Sequence, residues 1–239
     1  MRGNKALTPR LAAAAVYARE GTVVADIGTD HALLAIYLAN HNHRVYACDL
    51  NAGPLNMARK AVERAGLEER IAVIQSDGLK DVPPDAQDIF IMGMGGGLIA
   101  GIIGNGLNES GWDSFQNKRL ILSPTSHADI LRRFLCENSF EVLHESLVVE
   151  NDRLSVILCA EYNLFQMDPF IPNDFELAIG RYIIKNKPEH SQRYAKEALN
   201  REHHILSGLI KGNVENEKTC RTKALIERLE QFIASVDDV

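Results

Sequence analysis

The run Val23-Val24-Ala25-Asp26-Ile27-Gly28-Thr29-Asp30-His31, followed by Val45-Tyr46-Ala47-Cys48-Asp49, carries residue types that could hold a nucleoside. A β-branched strand that ends in a glycine turn and then opens a helix presents a ligand at the carboxyl edge of a doubly wound sheet. Asp49, at the tip of the next strand, is placed to accept hydrogen bonds from ribose hydroxyls. A dinucleotide would need G-x-G-x-x-G so that pyrophosphate can approach bare amides. Here Thr29 and Asp30 stand where that pattern wants small or neutral residues. A carboxylate at this point repels phosphate and suits a cationic centre. S-adenosylmethionine has such a centre and no phosphate.

Two further turns extend the candidate site. Gln75-Ser76-Asp77-Gly78 offers a carboxylate that could accept from the exocyclic amine of an adenine, although Ser-Asp-Gly is also a plain turn. Met92-Gly93-Met94-Gly95-Gly96-Gly97 concentrates glycine where backbone must come close to something, either a reacting group or another segment. The expected cofactor residues are Asp26, Gly28, Asp30, His31, Asp49, Asp77, Gly78 and Gly93. The expected catalytic positions are Asp30, Gly93, Gly95 and Gly96, where a transferred methyl and its acceptor would meet. Asp30 and His31 could instead be a helix cap and a first-turn residue. The Asn-Pro-Pro-Tyr of enzymes that methylate exocyclic amines is missing here, which argues against such an acceptor. Ser123-Pro124-Thr125 and Arg10 are weaker candidates for acceptor contacts, and His127 reads as a helix-start residue. His41, His43, His144, His203 and His204 form no metal-ligand spacing, so no metal is expected. Cys48, Cys136, Cys159 and Cys220 lack C-x-x-C spacing and read as buried free thiols.

These residues need a scaffold of alternating strands and helices. Helices are expected over 9–19, 31–40, 53–65, a short 98–103 and 127–138. Strands are expected at 23–27, 44–49, 71–76, 88–92 and 119–122. Such alternation, with near-continuous apolar strands, means a parallel sheet covered on both faces. The rhythm breaks at 140–150 and 154–162, two long strands joined only by Asn151-Asp152-Arg153, which is a hairpin signal. A parallel sheet that finishes in an antiparallel hairpin is the class I, Rossmann-like methyltransferase arrangement.

Beyond Tyr162, a linker at Asp168-Pro169 and Ile171-Pro172 precedes two series at helical spacing, 194–209 and 225–236, with a turn at Gly212-Asn213. An antiparallel helical hairpin of coiled-coil character is expected. The division is thus a methyltransferase domain over 1–163 and a helical domain over 170–236. The net charge of −6 belongs to the first part, since residues 170–239 hold 11 Lys/Arg and 11 Asp/Glu. That balance excludes wholesale coating of nucleic acid but leaves room for a basic face. Between Arg181 and Arg201 six basic residues face two acidic ones, with tyrosines interleaved, which could follow a phosphate backbone or form a solvated face. No apolar run approaches the roughly 18 residues that span a bilayer. A cytoplasmic, membrane-free monomer is expected.

Asp26-Ile-Gly-Thr-Asp-His-Ala, Gly93-Met-Gly-Gly, Leu120-Ile-Leu-Ser-Pro and Leu7-Thr-Pro-Arg10-Leu together resemble the motifs of the TrmK family of bacterial tRNA methyltransferases. The resemblance covers essentially the whole chain. It implies S-adenosylmethionine as cofactor, tRNA as partner and N1 of adenosine 22 as acceptor. The chain has Ser123-Pro124 where that family often has Gln-Pro. A degenerate binding protein of the same fold, or an enzyme with another acceptor, are the alternatives.

Overall fold

A computed structural model describes residues 7–110, 115–163, 172–212 and 216–236 of the 239-residue chain. Seven strands form one sheet: β1 (Val23–Ile27), β2 (Arg44–Asp49), β3 (Ile71–Gln75), β4 (Asp88–Met94), β5 (Arg119–Pro124), β6 (Phe140–Glu150) and β7 (Arg153–Tyr162). Their spatial order is β3-β2-β1-β4-β5-β7-β6. The first five run parallel, and β7 is antiparallel to both β5 and β6. The order reverses between β1 and β4, which opens a crevice at the carboxyl ends of those strands. The expected sheet, with its terminal hairpin, is the one observed.

Alternate strand residues feed two cores. Val24, Val45, Ala47, Phe90 and Ile121 pack against Leu34, Leu38 and Val62, which come from α2 (Leu33–Asn40) and α3 (Ala52–Ala65). On the other face Ile27, Ile91, Leu122 and Leu158 meet α4 (Gly96–Ser110) and α5 (Ala128–Glu137). That second core continues into α6 (Asp174–Ile179), α7 (Arg181–Asn186), α8 (Ser191–Lys211) and α9 (Glu217–Ser235) through Phe175, Ile183, Tyr194 and Phe232. Gln192 Nε2 donates to the Val236 carbonyl at 3.2 Å, so the start of α8 lies against the end of α9 and the pair is antiparallel. The short helices α6 and α7 were not expected. Asp168, Pro169, Ile171 and Asn213 of the expected linker and turn lie outside the described residues.

Three boundaries differ for physical reasons. The first helix, α1 (Pro9–Ala15), starts at its expected Thr8 cap, whose Oγ1 accepts from Leu11 N, but stops short of Arg19. Arg19 leaves the helix to ion-pair with the fully buried Asp88 at 2.5 Å, and Thr22 donates to the same carboxylate. The helix expected at 98–103 runs instead from Gly96 to Ser110, straight through Gly101, Gly104 and Gly106. Glycine costs a helix about 1 kcal/mol per residue; Gly96 and Gly106 make room that a side chain would fill, while Gly97 and Gly101 face open space. A Cβ on Gly106 would lie 2.9 Å from Leu79, and one on Gly96 only 2.1 Å from the His127 carbonyl oxygen. The hairpin is tighter than expected: Glu150 pairs with Arg153, and Asn151 and Asp152 alone make the turn, with φ of 49° and 60°.

The helical region is fastened by a buried ion pair. Arg132 Nε of α5 donates to Glu145 Oε1 of β6 at 2.8 Å, with the side chains 5% and 1% exposed. The remaining guanidinium nitrogens donate to the Leu177 and Ala178 carbonyls of α6 and to the Tyr194 hydroxyl of α8. Gly180, at φ 97°, lets the chain pass where a Cβ would stand 2.0 Å from Glu145 Oε2. Glu145→Ala should therefore cost about 3–5 kcal/mol, the penalty of leaving a buried charge unpaired. Urea denaturation of variant and parent measures it, and a loss under about 1 kcal/mol would show that the clasp is dispensable.

Candidate active site

The expected cofactor and catalytic residues lie along one edge of the sheet, at the carboxyl ends of β1, β2, β3 and β4. At the end of β1, Gly28 N and Thr29 N both donate to the Cys48 carbonyl of β2, at 2.8 and 2.9 Å. This curls the turn over β2. Gly28 has φ 76°, and a Cβ there would meet the end of the Met94 side chain at 2.2 Å. His31 and Ala32 follow in the left-handed region, both at φ 53°. Consecutive left-handed non-glycine residues are strained, and such strain concentrates at functional sites.

That strained turn corrects one expectation. The helix opens at Leu33, with Ala32 in the cap position and no side-chain cap bond. Neither Asp30 nor His31 serves as cap or first-turn residue. Asp30 stands exposed instead, its carboxylate 3.4 Å from His31 Nε2. Asp26 is the buried member of the series, and its Oδ2 accepts from Thr29 Oγ1 at 2.7 Å. Burial pushes its carboxyl up to about 6; the Thr29 hydrogen bond opposes the shift, while Asp30 and Asp49 add to it.

Asp49 closes β2, and its Oδ1 accepts from Asn51 N at 2.7 Å. Its neighbour Leu50 is 55% exposed, an uncovered apolar side chain next to the proposed ribose acceptor. Leu50 was not among the expected site residues, though a leucine directly after a strand-end carboxylate was the available signal. At the end of β3, Ser76 Oγ donates to the Gly78 carbonyl and accepts from Asp81 N, which ties the turn and leaves Asp77 exposed. Gly78 has φ 61°, and a Cβ there would lie 3.0 Å from the Ile102 side chain, so its lack of a side chain serves the turn and its packing on α4.

The glycines at and just after the end of β4 have separate surroundings. Gly93, at φ 77°, is exposed, and a Cβ there would lie 3.5 Å from Arg10 Nη1. Gly95 faces Ser126 Oγ at 3.3 Å by the same measure. Gly96 is buried against the backbone of residues 126–127 and donates its N–H to the Ser126 carbonyl. Arg10 is thus brought to the end of β4, where Nη1 is buried without a hydrogen-bond partner, and so is Ser123 Oγ at the end of β5. Among the described residues no three His, Cys, Asp or Glu side chains cluster as metal ligands. All four cysteines are free, but only Cys48 and Cys159 are buried, and Cys220 is exposed. No described helix is long and apolar enough to cross a membrane.

The basic stretch expected on the helical region is partly used within the molecule. Arg193 pairs with Glu197 and donates to the Asp152 carbonyl at the hairpin tip. Lys187 donates to the Ser235 carbonyl and Lys196 to Gln192 Oε1, and both are exposed, as are Lys185 and Arg201.

Residues 24–232 match the family model described as TrmK, tRNA (adenine(22)-N(1))-methyltransferase. The chain belongs to the TrmK family. It is 39% identical over 160 residues to the curated tRNA (adenine(22)-N(1))-methyltransferase of Bacillus subtilis, an alignment spanning 65% of each chain. It superposes on the crystal structure of the B. subtilis M1A22 tRNA methyltransferase TrmK with a TM-score of 0.79 at 30% identity, covering 98% of this chain and 99% of that one. M. capricolum TrmK in complex with S-adenosyl-homocysteine, its natural cofactor product, gives 0.77 at 27% identity over 97% and 99%.

The geometry of this TrmK-family edge makes two outcomes measurable. Asp26 takes up its proton near pH 6 when folded and near 4 when unfolded, so the folded state holds the extra proton between those values. Stability should fall by roughly 2–3 kcal/mol as pH rises from about 4 to about 6 through this group. Asp26→Asn should flatten that slope in denaturation curves, and an unchanged slope would place the proton elsewhere. At the glycine turn, Gly96→Ala should lower the melting temperature, because its Cβ meets backbone, whereas Gly95→Ala should fold almost normally. Thermal melts that rank the two in reverse would refute this assignment.

Proposed function

We propose that the protein transfers a methyl group from S-adenosylmethionine to N1 of adenosine 22 in tRNA. The observation that carries this reading is the acidic series Asp26, Asp49 and Asp77 at the ends of β1, β2 and β3, beside the glycine turn that ends β4. The tRNA (adenine(22)-N(1))-methyltransferase activity of the B. subtilis relative supports the acceptor, and the M. capricolum complex supports the cofactor.

The donor set fits the cofactor. Asp49 would accept from the ribose hydroxyls, Asp77 from the adenine amine, and Leu50 would cover one face of the ring. Asp26 and Asp30, with the Gly28 turn between them, would hold the cationic amino acid end. Bound S-adenosylmethionine supplies an electrophilic methyl, and its sulfur keeps the bonding pair when that methyl leaves. Adenine N1 attacks with an in-plane lone pair, so no residue has to remove a proton first. The protein's contribution is alignment and exclusion of water. Asp30 would stabilise the positive charge that the ring acquires. Because N1 is engaged in a Watson–Crick pair, the base must be exposed or flipped to reach the edge.

In this reading residues 1–163 carry the chemistry, and residues 170–236 present cationic surface to the tRNA. The enzyme works in the cytoplasm, as a monomer, without metal. Incubation with labelled cofactor and unmodified tRNA, followed by mapping of the methylated base, tests the activity. Asp49→Ala should weaken S-adenosylmethionine binding by roughly 1–3 kcal/mol, the scale of lost hydrogen bonds to a charged group. Calorimetry showing unchanged affinity would remove Asp49 from the site. Replacing Lys185, Lys196 and Arg201 with Glu should weaken tRNA binding and flatten its salt dependence while leaving cofactor affinity intact. Normal tRNA binding by that variant would confine the RNA to the sheet domain.

A further inference from the structure

We infer that Arg10 and Glu150 read the target base, with the guanidinium donating to N7 of the adenine and the carboxylate accepting from its N6 amine. This rests on the adenine-N1 reading above and assigns residues to its acceptor side. The two side chains come from opposite ends of the sheet domain, α1 and the end of β6, and meet over the end of β4. Arg10 N donates to Glu150 Oε2 at 3.2 Å, and Arg10 Nε lies 3.8 Å from the same oxygen. Both contacts use Oε2, and among the described residues nothing engages Oε1. The Arg10 side chain is 25% exposed, and its guanidinium lies beside Gly93, with Nη1 buried and unpartnered. A buried guanidinium N–H without a partner is costly, so a small movement of Arg10 that brings Nη1 to an acceptor in the adjoining hollow relieves that cost.

The surroundings select the class of acceptor. Arg10 and Glu150 line a hollow of about 770 Å³, walled by Pro124 and Thr125 at the end of β5 and by the β6–β7 turn, a size that suits a nucleoside. Its charged lining is Glu150, Asp152 and Glu197 against Arg10 and Arg153, so acidic groups outnumber basic ones and a phosphate is disfavoured. A neutral group carrying a donor and an acceptor side by side is favoured. The N6 and N7 edge of adenine has that pairing and leaves N1 free to attack. Methylation at N1 spreads positive charge onto N6, so the Glu150 contact tightens as the reaction proceeds.

The test pairs variants with a base analogue. A tRNA carrying 7-deazaadenosine at the target position keeps N1 and N6 but loses the N7 acceptor. Under single-turnover conditions, which also read slow variants, the parent protein should methylate it on the order of tenfold more slowly than the adenosine tRNA. Arg10→Ala should be slower on adenosine yet show no further loss with the analogue. Glu150→Gln should lower kcat with little change in KM. Cofactor affinity by calorimetry should match the parent in both variants. Equal rates of the parent on the two tRNAs, or the same tenfold ratio in Arg10→Ala, would overturn the inference; the second outcome would make Arg10 a phosphate contact. Absence of any N1-methyladenosine from the parent protein would instead overturn the function reading, and this assignment with it.

Discussion

The Arg132–Glu145 pair is the contact on which the arrangement of the molecule turns. One guanidinium, almost wholly buried, joins α5, β6, α6 and α8 by an ion pair, two carbonyls and a tyrosine hydroxyl. Desolvation works against a charge in that place, but Glu145 and Tyr194 outweigh it and hold the guanidinium pKa above its ordinary value. A buried pair of this kind adds little net stability over an apolar substitute, but it tolerates only one geometry. Its consequence is positional: the helical region cannot slide along the sheet without stranding a charge. Gly180 extends the constraint to the backbone, because any side chain there would enter the carboxylate.

The same logic separates the glycines of the β4–α4 segment. In the sequence they form one dense motif, yet they answer to different neighbours. Gly93 serves a left-handed backbone at φ 77°, Gly96 leaves room for a crossing backbone and Gly106 for Leu79. Only the first of these adjoins the crevice where β1 and β4 part. The segment therefore combines an opening toward the crevice with ordinary close packing, and substitution at adjacent positions is expected to fail in different ways.

The sheet was legible in the sequence because its strands are short apolar runs cut by turn residues, and the hairpin because Asn151-Asp152 supplies two left-handed residues in succession. The acidic series was legible because each member lies at or just past the end of a strand. Other features were not. The length of α4 was hidden, since glycine propensity argues against a helix that tertiary packing then rewards. Arg132 and Glu145 stand 13 residues apart on a helix and a strand, and no local pattern announces that they meet. Arg10 was legible as a weak candidate, but its partner Glu150 was visible only as the end of a strand. The strain at His31 and Ala32 was equally invisible, since neither residue type signals a left-handed backbone.

The contact between Arg10 and Glu150 spans 140 residues of chain. The acidic turns of β1, β2 and β3, by contrast, are complete by Gly78. During synthesis the carboxylates at the ends of β1, β2 and β3 therefore leave the ribosome well before Glu150, the residue that Arg10 meets. A product ending before β6 would lack Glu145 and Glu150 together, so Arg132 and Arg10 would both lose the carboxylates they meet.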